Sequence, residues 1–162
     1  MGTQIVQNPD GSVSLKSDAD SIDHLRVGGP ANPTAANPRW SNEKTVKLPL
    51  STGASAGGVL AWANPEVGAV IITGMVVDLT TKSSGASTTS FGTAANGSTS
   101  SANLIDSLDT GTAAGTFDNN TDKGTNGKTR QRLAAGQFVT GSQASGAVAG
   151  LVGFAYITYI PV

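Results

Sequence analysis

The chain has 162 residues, no cysteine and a formal net charge of −1, and only 13% of its residues are charged while 21 are glycine. The absence of cysteine excludes disulfides and thiolate metal sites, and the balanced charge gives no field that would collect nucleic acid or an anionic membrane. Few charges combined with many small residues and turn formers are typical of a β-sandwich or barrel with long loops, so an all-β fold is predicted.

Residues 1–43 differ in composition from the rest of the chain and are predicted to form an extended N-terminal arm. Two short alternating runs, one containing Ile5-Val6 and one spanning 13–15, flank the turn signal Asn8-Pro9-Asp10-Gly11. This arrangement predicts a small hairpin. A single helical turn is expected over 18–25.

A proline-rich connector separates this hairpin from the body. Pro30, Pro33 and Pro38 remove backbone donors and restrict φ, so the segment is expected to be extended and semi-stiff. An arm of this kind contains too little apolar material for a core, and we expect it to order on the surface of a partner. The predicted partner-binding residues are Ile5, Val6, Val13, Leu15, Ile22, Leu25 and Trp40.

Residues 44–162 are predicted to form the body, an antiparallel, jelly-roll-like β-sandwich. The segment 44–50 alternates apolar and polar residues and contains Pro49, a pattern typical of an edge strand. A short apolar run follows at 59–62. The segment 68–81 has the clearest strand pattern in the chain.

The remaining segments bring the body to about seven or eight short strands with glycine-rich turns. A more polar strand is expected over 87–93 and one or two strands over 132–140. The apolar island at 102–106 is expected to form one helical turn under the sheet. The tail, 147–162, is aliphatic and aromatic, and such a terminal strand usually inserts into the sheet.

The strand at 68–81 is apolar on both faces, so it is predicted to be central or to lie at an interface. Strict alternation places its apolar residues on two faces, with Gly74 as a candidate bulge. One predicted face carries Ile71, Met75, Val77 and Leu79, and the other carries Val70, Ile72 and Val76. This much apolar surface exceeds what one small sandwich needs, and it predicts oligomerisation.

The sequence predicts a protein that is not an enzyme and has no cofactor. His24 is the only histidine, so a Ser-His-Asp triad would have to use it, and a metal site with several histidines is excluded. A glycosidase needs two convergent carboxylates, and nothing in the sequence brings a pair of Asp78, Asp106 and Asp109 together.

The segment 118–132 forms the most charged loop. Its first residues, 118–122, place oxygen-bearing side chains at alternating positions as calcium loops do, but Gly124 comes one residue late and Thr129 stands where a bidentate Glu is expected. An Asn/Asp-rich turn is therefore favoured over a metal site. Three alternating cations follow, which either face an acidic partner or form a solvated edge: Lys128, Arg130 and Arg132.

Several segments of the body resemble small virion proteins of tailed phages. They are Gly74-Met-Val-Val-Asp-Leu-Thr-Thr81, Ser87-Thr-Thr-Ser-Phe-Gly-Thr-Ala94, Ser101-Ala-Asn-Leu-Ile-Asp106 and the closing Gly153-Phe-Ala-Tyr-Ile-Thr-Tyr-Ile-Pro161. The pattern is similar to head decoration (cement) proteins and head fibres, over about residues 68–162.

This resemblance implies a sandwich or jelly-roll body, a homotrimer and a terminal arm that grips the head shell. The expected function is capsid decoration, with the major capsid protein and the chain itself as partners and with neither nucleic acid nor membrane. The expected location is the outer surface of the virion head, after synthesis in the host bacterial cytoplasm. The alternative is a receptor- or carbohydrate-binding fibre or tail module, because sandwiches with polar loops also bind sugars.

Overall fold

The computed structural model describes residues 43–162 completely and, before them, the backbone of three short strands. These strands are β1 (Gln4–Gln7), β2 (Val13–Ser17) and β3 (Asp20–Ser21), which form an antiparallel sheet in the order β1-β2-β3. Ile5 pairs with Leu15, so the predicted hairpin is confirmed in its two strands. They belong to a unit that covers Met1–Trp40, and Ser41–Val162 forms a second unit.

The helical turn predicted over 18–25 is wrong at Asp20–Ser21. Lys16 pairs with Ser21, and Ser17 pairs with Asp20, in an antiparallel register. A lone helical turn fixes several dihedral angles for very few hydrogen bonds, whereas an existing strand offers partners at once. The other residues of that prediction lie outside the described ones.

The second unit is an antiparallel β-sandwich, as predicted. Its strands are β4 (Lys44–Pro49), β5 (Leu60–Ala63), β6 (Val70–Thr81), β7 (Ser87–Ala94), β8 (Ile105–Asp109), β9 (Gly115–Asp118), β10 (Gln131–Leu133), β11 (Phe138–Gly146) and β12 (Val152–Pro161). One sheet has five strands in the order β10-β6-β12-β4, with β9 also paired to β6, and the other has four in the order β5-β11-β7-β8. The predicted edge strand β4 does lie at an edge, and β6 is central.

The core lies between the two sheets. Its largest fully buried side chains include Phe91 from the four-stranded sheet and Ile72, Met75 and Ile157 from the five-stranded sheet. In β12, alternate residues from Gly153 to Tyr159 point inward and are buried, while the residues between them stay partly exposed. This period of two is what a sheet with one face on a core requires.

A β-bulge on β6 changes which of its residues face the core. Thr158 of β12 pairs with Gly74, and the next residue, Tyr159, pairs with Ile72. Thr73 therefore has no pairing partner on β12, and the predicted bulge at Gly74 is confirmed. The extra residue shifts the alternation by one position. The face assignment made from strict alternation is therefore wrong, because Ile71 lies on the outer face and not with Met75.

The helical turn predicted at 102–106 is also wrong. The backbone N–H of Leu104 donates to the carbonyl of Phe91 at 3.0 Å, and Ile105 begins β8 by pairing with Phe91. Leu104 and Ile105 are both fully buried. Both belong to the hydrophobic core, Leu104 at the end of the preceding loop and Ile105 at the start of β8.

A loop, residues 95–104, covers the outer face of the four-stranded sheet. The hydroxyl of Thr140 donates to the carbonyl of Thr99 at 2.8 Å, and Asn103 accepts from the backbone N–H of Thr93 at 2.8 Å. A Cβ at Gly92 would lie 2.5 Å from Ser101 Oγ, so the loop lies directly on the strand. The two sheets therefore differ, because the outer face of the five-stranded sheet carries partly exposed apolar side chains.

Candidate protein-binding surface

The outer face of the five-stranded sheet carries a group of partly exposed apolar side chains. We call this group the outer apolar patch: Ile71, Val76, Phe154, Tyr156 and Ile160. Tyr156 pairs with Val76 across β12 and β6, and Ile160 pairs with Ile71. Cross-strand partners lie about 5 Å apart, so the members of each pair are neighbours on this face, and the Thr158–Gly74 pair lies between the two apolar pairs.

Opposite charges flank the patch at the level of Phe154. Lys47, on β4, pairs with Tyr156, but its ammonium group lies closer to the ring of Phe154, at 3.9 Å from the centroid, than to that of Tyr156, at 5.5 Å. Asp78, on β6, pairs directly with Phe154 from the other side. Its carboxylate accepts a hydrogen bond from Thr116 Oγ1 at 3.2 Å. A cationic and an anionic residue thus come from the two strands that flank β12, near the level of Phe154.

A second group of polar contacts is located where β4 begins. Lys44 Nζ forms a salt bridge with Glu66 Oε1 at 2.5 Å, and the hydrogen bond to this carboxylate raises the pKa of Lys44 above its ordinary value. Tyr159 Oη donates to the same oxygen at 3.4 Å, and burial raises the pKa of this phenol. The ring of Trp62 lies 5.3 Å from that of Tyr159. These contacts join the edges of the two sheets and are explained by stability alone.

Residues 118–122 form an Asn/Asp-rich turn. The Asp118 carboxylate accepts hydrogen bonds from the backbone N–H of Thr121 at 2.8 Å and of Asn120 at 2.6 Å, and these bonds lower its pKa. Within the part of the chain that the structure describes, no group of three or more His, Cys, Asp or Glu side chains could hold a metal ion. The geometry is that of the favoured Asn/Asp-rich turn.

Asn119 closes a gap between β9 and β10, which both pair with β6. Its side chain accepts from the backbone N–H of Met75 at 2.8 Å and donates to the carbonyls of Lys128 at 2.9 Å and Thr129 at 3.0 Å. Its backbone N–H donates to the carbonyl of Met75 at 3.0 Å. The residue is 3% exposed. Its side-chain amide makes the hydrogen bonds to these backbone groups that a neighbouring strand would otherwise make.

An open cleft of about 540 Å³ lies beside Asn119, lined by β6, the 118–120 turn and Thr129-Arg130. The interpretation of Lys128, Arg130 and Arg132 as one face of a strand is wrong, because β10 spans only Gln131–Leu133. All three cations are exposed. Arg130 lines the cleft, whereas Arg132 pairs with Ile71 of the outer apolar patch, so the three cations do not form an aligned row.

The predicted partner-binding residues of the arm are only partly placed. Ile5 and Val6 lie on β1, and Val13 and Leu15 lie on β2. Ile22, Leu25 and Trp40 lie outside the described residues. Their role in binding stays a prediction.

No protein-family model, curated protein or solved structure matches this chain. In the described residues, no helix is long and apolar enough to cross a membrane. The functional interpretation therefore depends on the residues and their geometry.

Sequence reasoning missed most of the outer apolar patch. Only Val76 was assigned to a second apolar face, and the contributions of Phe154, Tyr156 and Lys47 were not predicted. The sequence does contain a signal for this surface. Both sets of alternating residues in the closing strand are largely apolar, and each set contains an aromatic residue. Without the strand order, nothing showed that Lys47 and Asp78 flank this strand.

Proposed function

We propose that this protein is a virion structural protein, a decoration or cement protein that binds and stabilises the outer surface of a tailed-phage head. In this proposal the body associates with copies of itself, as a homotrimer, and the arm binds the major capsid protein. The observation that carries the binding role is the outer apolar patch, which is flanked by Lys47 and Asp78 on a sandwich face. The assignment to a phage head is supported by the resemblance of the strand segments.

The hydrogen bonding of the carboxylates favours a binding protein over an enzyme. Asp106 accepts from Ser107 Oγ and from the side chain of Asn126, and Asp109 accepts from the backbone N–H groups of Gly111 and Thr112. The Asp109 carboxylate thus accepts within its own turn, and the Asp106 carboxylate links β8 to the loop that contains Asn126. The hydrogen bonds lower the pKa values of both groups, which is opposite to the raised pKa that a general acid needs.

The arm suits the task of gripping a shell. Its β1–β2 hairpin is extended only by the two-residue strand β3, and hairpins of this size are marginal in water when isolated. A shell of identical subunits offers many equivalent surfaces, so weak contacts of several copies add through multivalency. The arm of each copy would lie flat on the shell or add a strand to a sheet edge there.

A carbohydrate-binding fibre or tail module is the second candidate, favoured by one specific observation. Phe154 and Tyr156 are partly exposed aromatics, and the hydroxyls of Thr45 and Thr158 lie nearby, 3.0 Å from each other. Aromatic rings next to hydroxyls are suited to sugar rings. However, the ammonium of Lys47 lies over the ring of Phe154, on which a sugar would have to stack. The decoration role is therefore the better supported proposal.

Binding to empty head shells separates the two candidates. A decoration protein should bind with a saturable isotherm at a fixed number of copies per shell, and electron micrographs should show it on the head surface. A fibre module should instead appear at the tail tip and bind glycans. Absence of saturable shell binding would refute the decoration role.

A further inference from the structure

We infer that a second copy of this chain covers the outer apolar patch, with Lys47 of one copy facing Asp78 of the next. This inference deepens the self-association included in the proposed function, but it does not depend on the assignment to a phage. It names the surface, the partner and the charge pair that sets the orientation of the two copies.

The apolar content of this face requires a covering partner. An antiparallel sheet with one face in water normally alternates apolar inward and polar outward residues. Here five outward positions on β6 and β12 are apolar, and four of them form the cross-strand pairs Tyr156–Val76 and Ile160–Ile71. Within residues 43–162, a loop covers the equivalent face of the four-stranded sheet, whereas the side chains of the outer apolar patch stay partly exposed. Partly exposed apolar side chains grouped in this way are typical of an interface.

The two flanking charges decide which partner fits. Lys47 pairs with Tyr156, but its side chain extends toward Phe154, and its ammonium lies 3.9 Å from the centroid of that ring. Asp78 pairs with Phe154 and so lies at the same level along the strands. Lys47 belongs to β4 and Asp78 to β6, which are the two neighbours of β12 in the sheet. The surface is therefore self-complementary in charge about β12.

A rotation axis parallel to β12 brings the complementary sides together. Around such an axis, the β4 side of one copy meets the β6 side of the next, and positions along the strand direction are preserved. Lys47 of one copy then faces Asp78 of the next without any shift along the strands. The same placement holds for two copies and for three, and three is the number that the resemblance implies. The apolar side chains of β12 would lie at the axis.

Other occupants are less well matched. The Lys47 ammonium occupies the face of Phe154 that a sugar would need. A different protein would have to reproduce both the opposite charges and their equal level by coincidence, whereas a second copy contains them by symmetry. Oppositely charged pairs across an interface also fix its register and suppress wrong orientations.

Charge exchange tests this inference with the full chain. Lys47→Asp and Asp78→Lys should each place like charges against each other, and each should weaken self-association by at least tenfold in sedimentation velocity at micromolar concentration. The double variant Lys47→Asp/Asp78→Lys should restore the wild-type distribution. Lys123→Asp makes the same change of charge in a loop that bonds to Asp106 of β8, and it should leave association unchanged.

Three results would overturn the inference. They are a monomeric wild-type protein, single variants that associate like the wild type, and a double variant that stays as dissociated as the single ones. Circular dichroism of each variant should show the β-rich spectrum of the wild type, so that a loss of association is not a loss of folding. The experiment needs no shells, so its failure is distinct from a failure of shell binding.

Discussion

Replacement of Asn119 tests whether its side chain holds the five-stranded sheet together. Asn119→Ala leaves the N–H of the fully buried Met75 without its acceptor and removes two donors from the carbonyls of Lys128 and Thr129. An unsatisfied buried donor costs about 1 to 3 kcal/mol, and each lost bond to a partly accessible carbonyl costs about 0.5 kcal/mol or more. We expect the body to lose about 3 kcal/mol of unfolding free energy.

Urea unfolding measures this loss. The chain has two tryptophans, Trp40 and Trp62, so a Trp40→Phe background makes fluorescence report on the sandwich alone. At an m-value of about 2 kcal/mol/M, the midpoint should fall by about 1.5 M. Asn119→Asp keeps an acceptor for Met75 but points a carboxylate at two carbonyls, and it should destabilise at least as much.

The exposed neighbour provides the control. Asn120→Ala changes the same residue type one position later, where the side chain is exposed, and it should cost less than about 0.5 kcal/mol. A loss of less than about 1 kcal/mol in Asn119→Ala would refute the role of this side chain as a strand substitute.

Two further predictions concern stability. Gly141→Ala should destabilise the sandwich by about 1 to 3 kcal/mol in the same urea assay, because the new Cβ would lie 2.6 Å from the ring of Phe91, and an unchanged midpoint would contradict the tight packing there. Hydrogen bonds hold the pKa values of Asp106, Asp109 and Asp118 below the ordinary range. The stability they contribute should therefore be fully present above about pH 4, near the unfolded pKa, and should be lost as the pH falls through the lower folded values. A urea midpoint that does not decrease below about pH 4 would contradict this.

The fold could be predicted wherever the local pattern and the tertiary role agree. Pro49 in an alternating run indicated an edge strand, and β4 does lie at the edge of its sheet. Proline has no backbone N–H, which an edge strand tolerates because one of its sides forms no inter-strand hydrogen bonds. The apolar runs of β6 and β12 indicated central strands, and these two strands pair along most of their length. In each case a property of one segment was sufficient.

The errors came from features that depend on a distant partner. The bulge at Thr73–Gly74 is defined by its pairing with β12, and it changed the face of Ile71. The apolar residues at 102–106 matched a helical turn locally, but their backbone partner is Phe91. Propensity cannot distinguish such cases, because strand pairing is decided by long-range contacts.

The candidate surface was predictable only in part. Apolar residues on both faces of β6 indicated an interface, but its position required the strand order. Lys47, Asp78 and Phe154 are far apart in sequence and become neighbours because β12 inserts between β4 and β6. The sequence alone does not show that Lys47 and Asp78 lie on either side of the same strand.

Our central proposal is that this protein decorates a shell and that its arm supplies much of the grip. The most direct measurement is a binding isotherm on empty tailed-phage head shells, for the full chain and for a chain that lacks residues 1–27. We predict saturable binding of the full chain, and at least tenfold weaker binding of the truncated chain, which is about 1.4 kcal/mol. Circular dichroism should show that the sandwich remains folded without the arm. Equal affinity of the two chains would show that the body carries the interface, and absence of saturable binding by the full chain would contradict the decoration role itself.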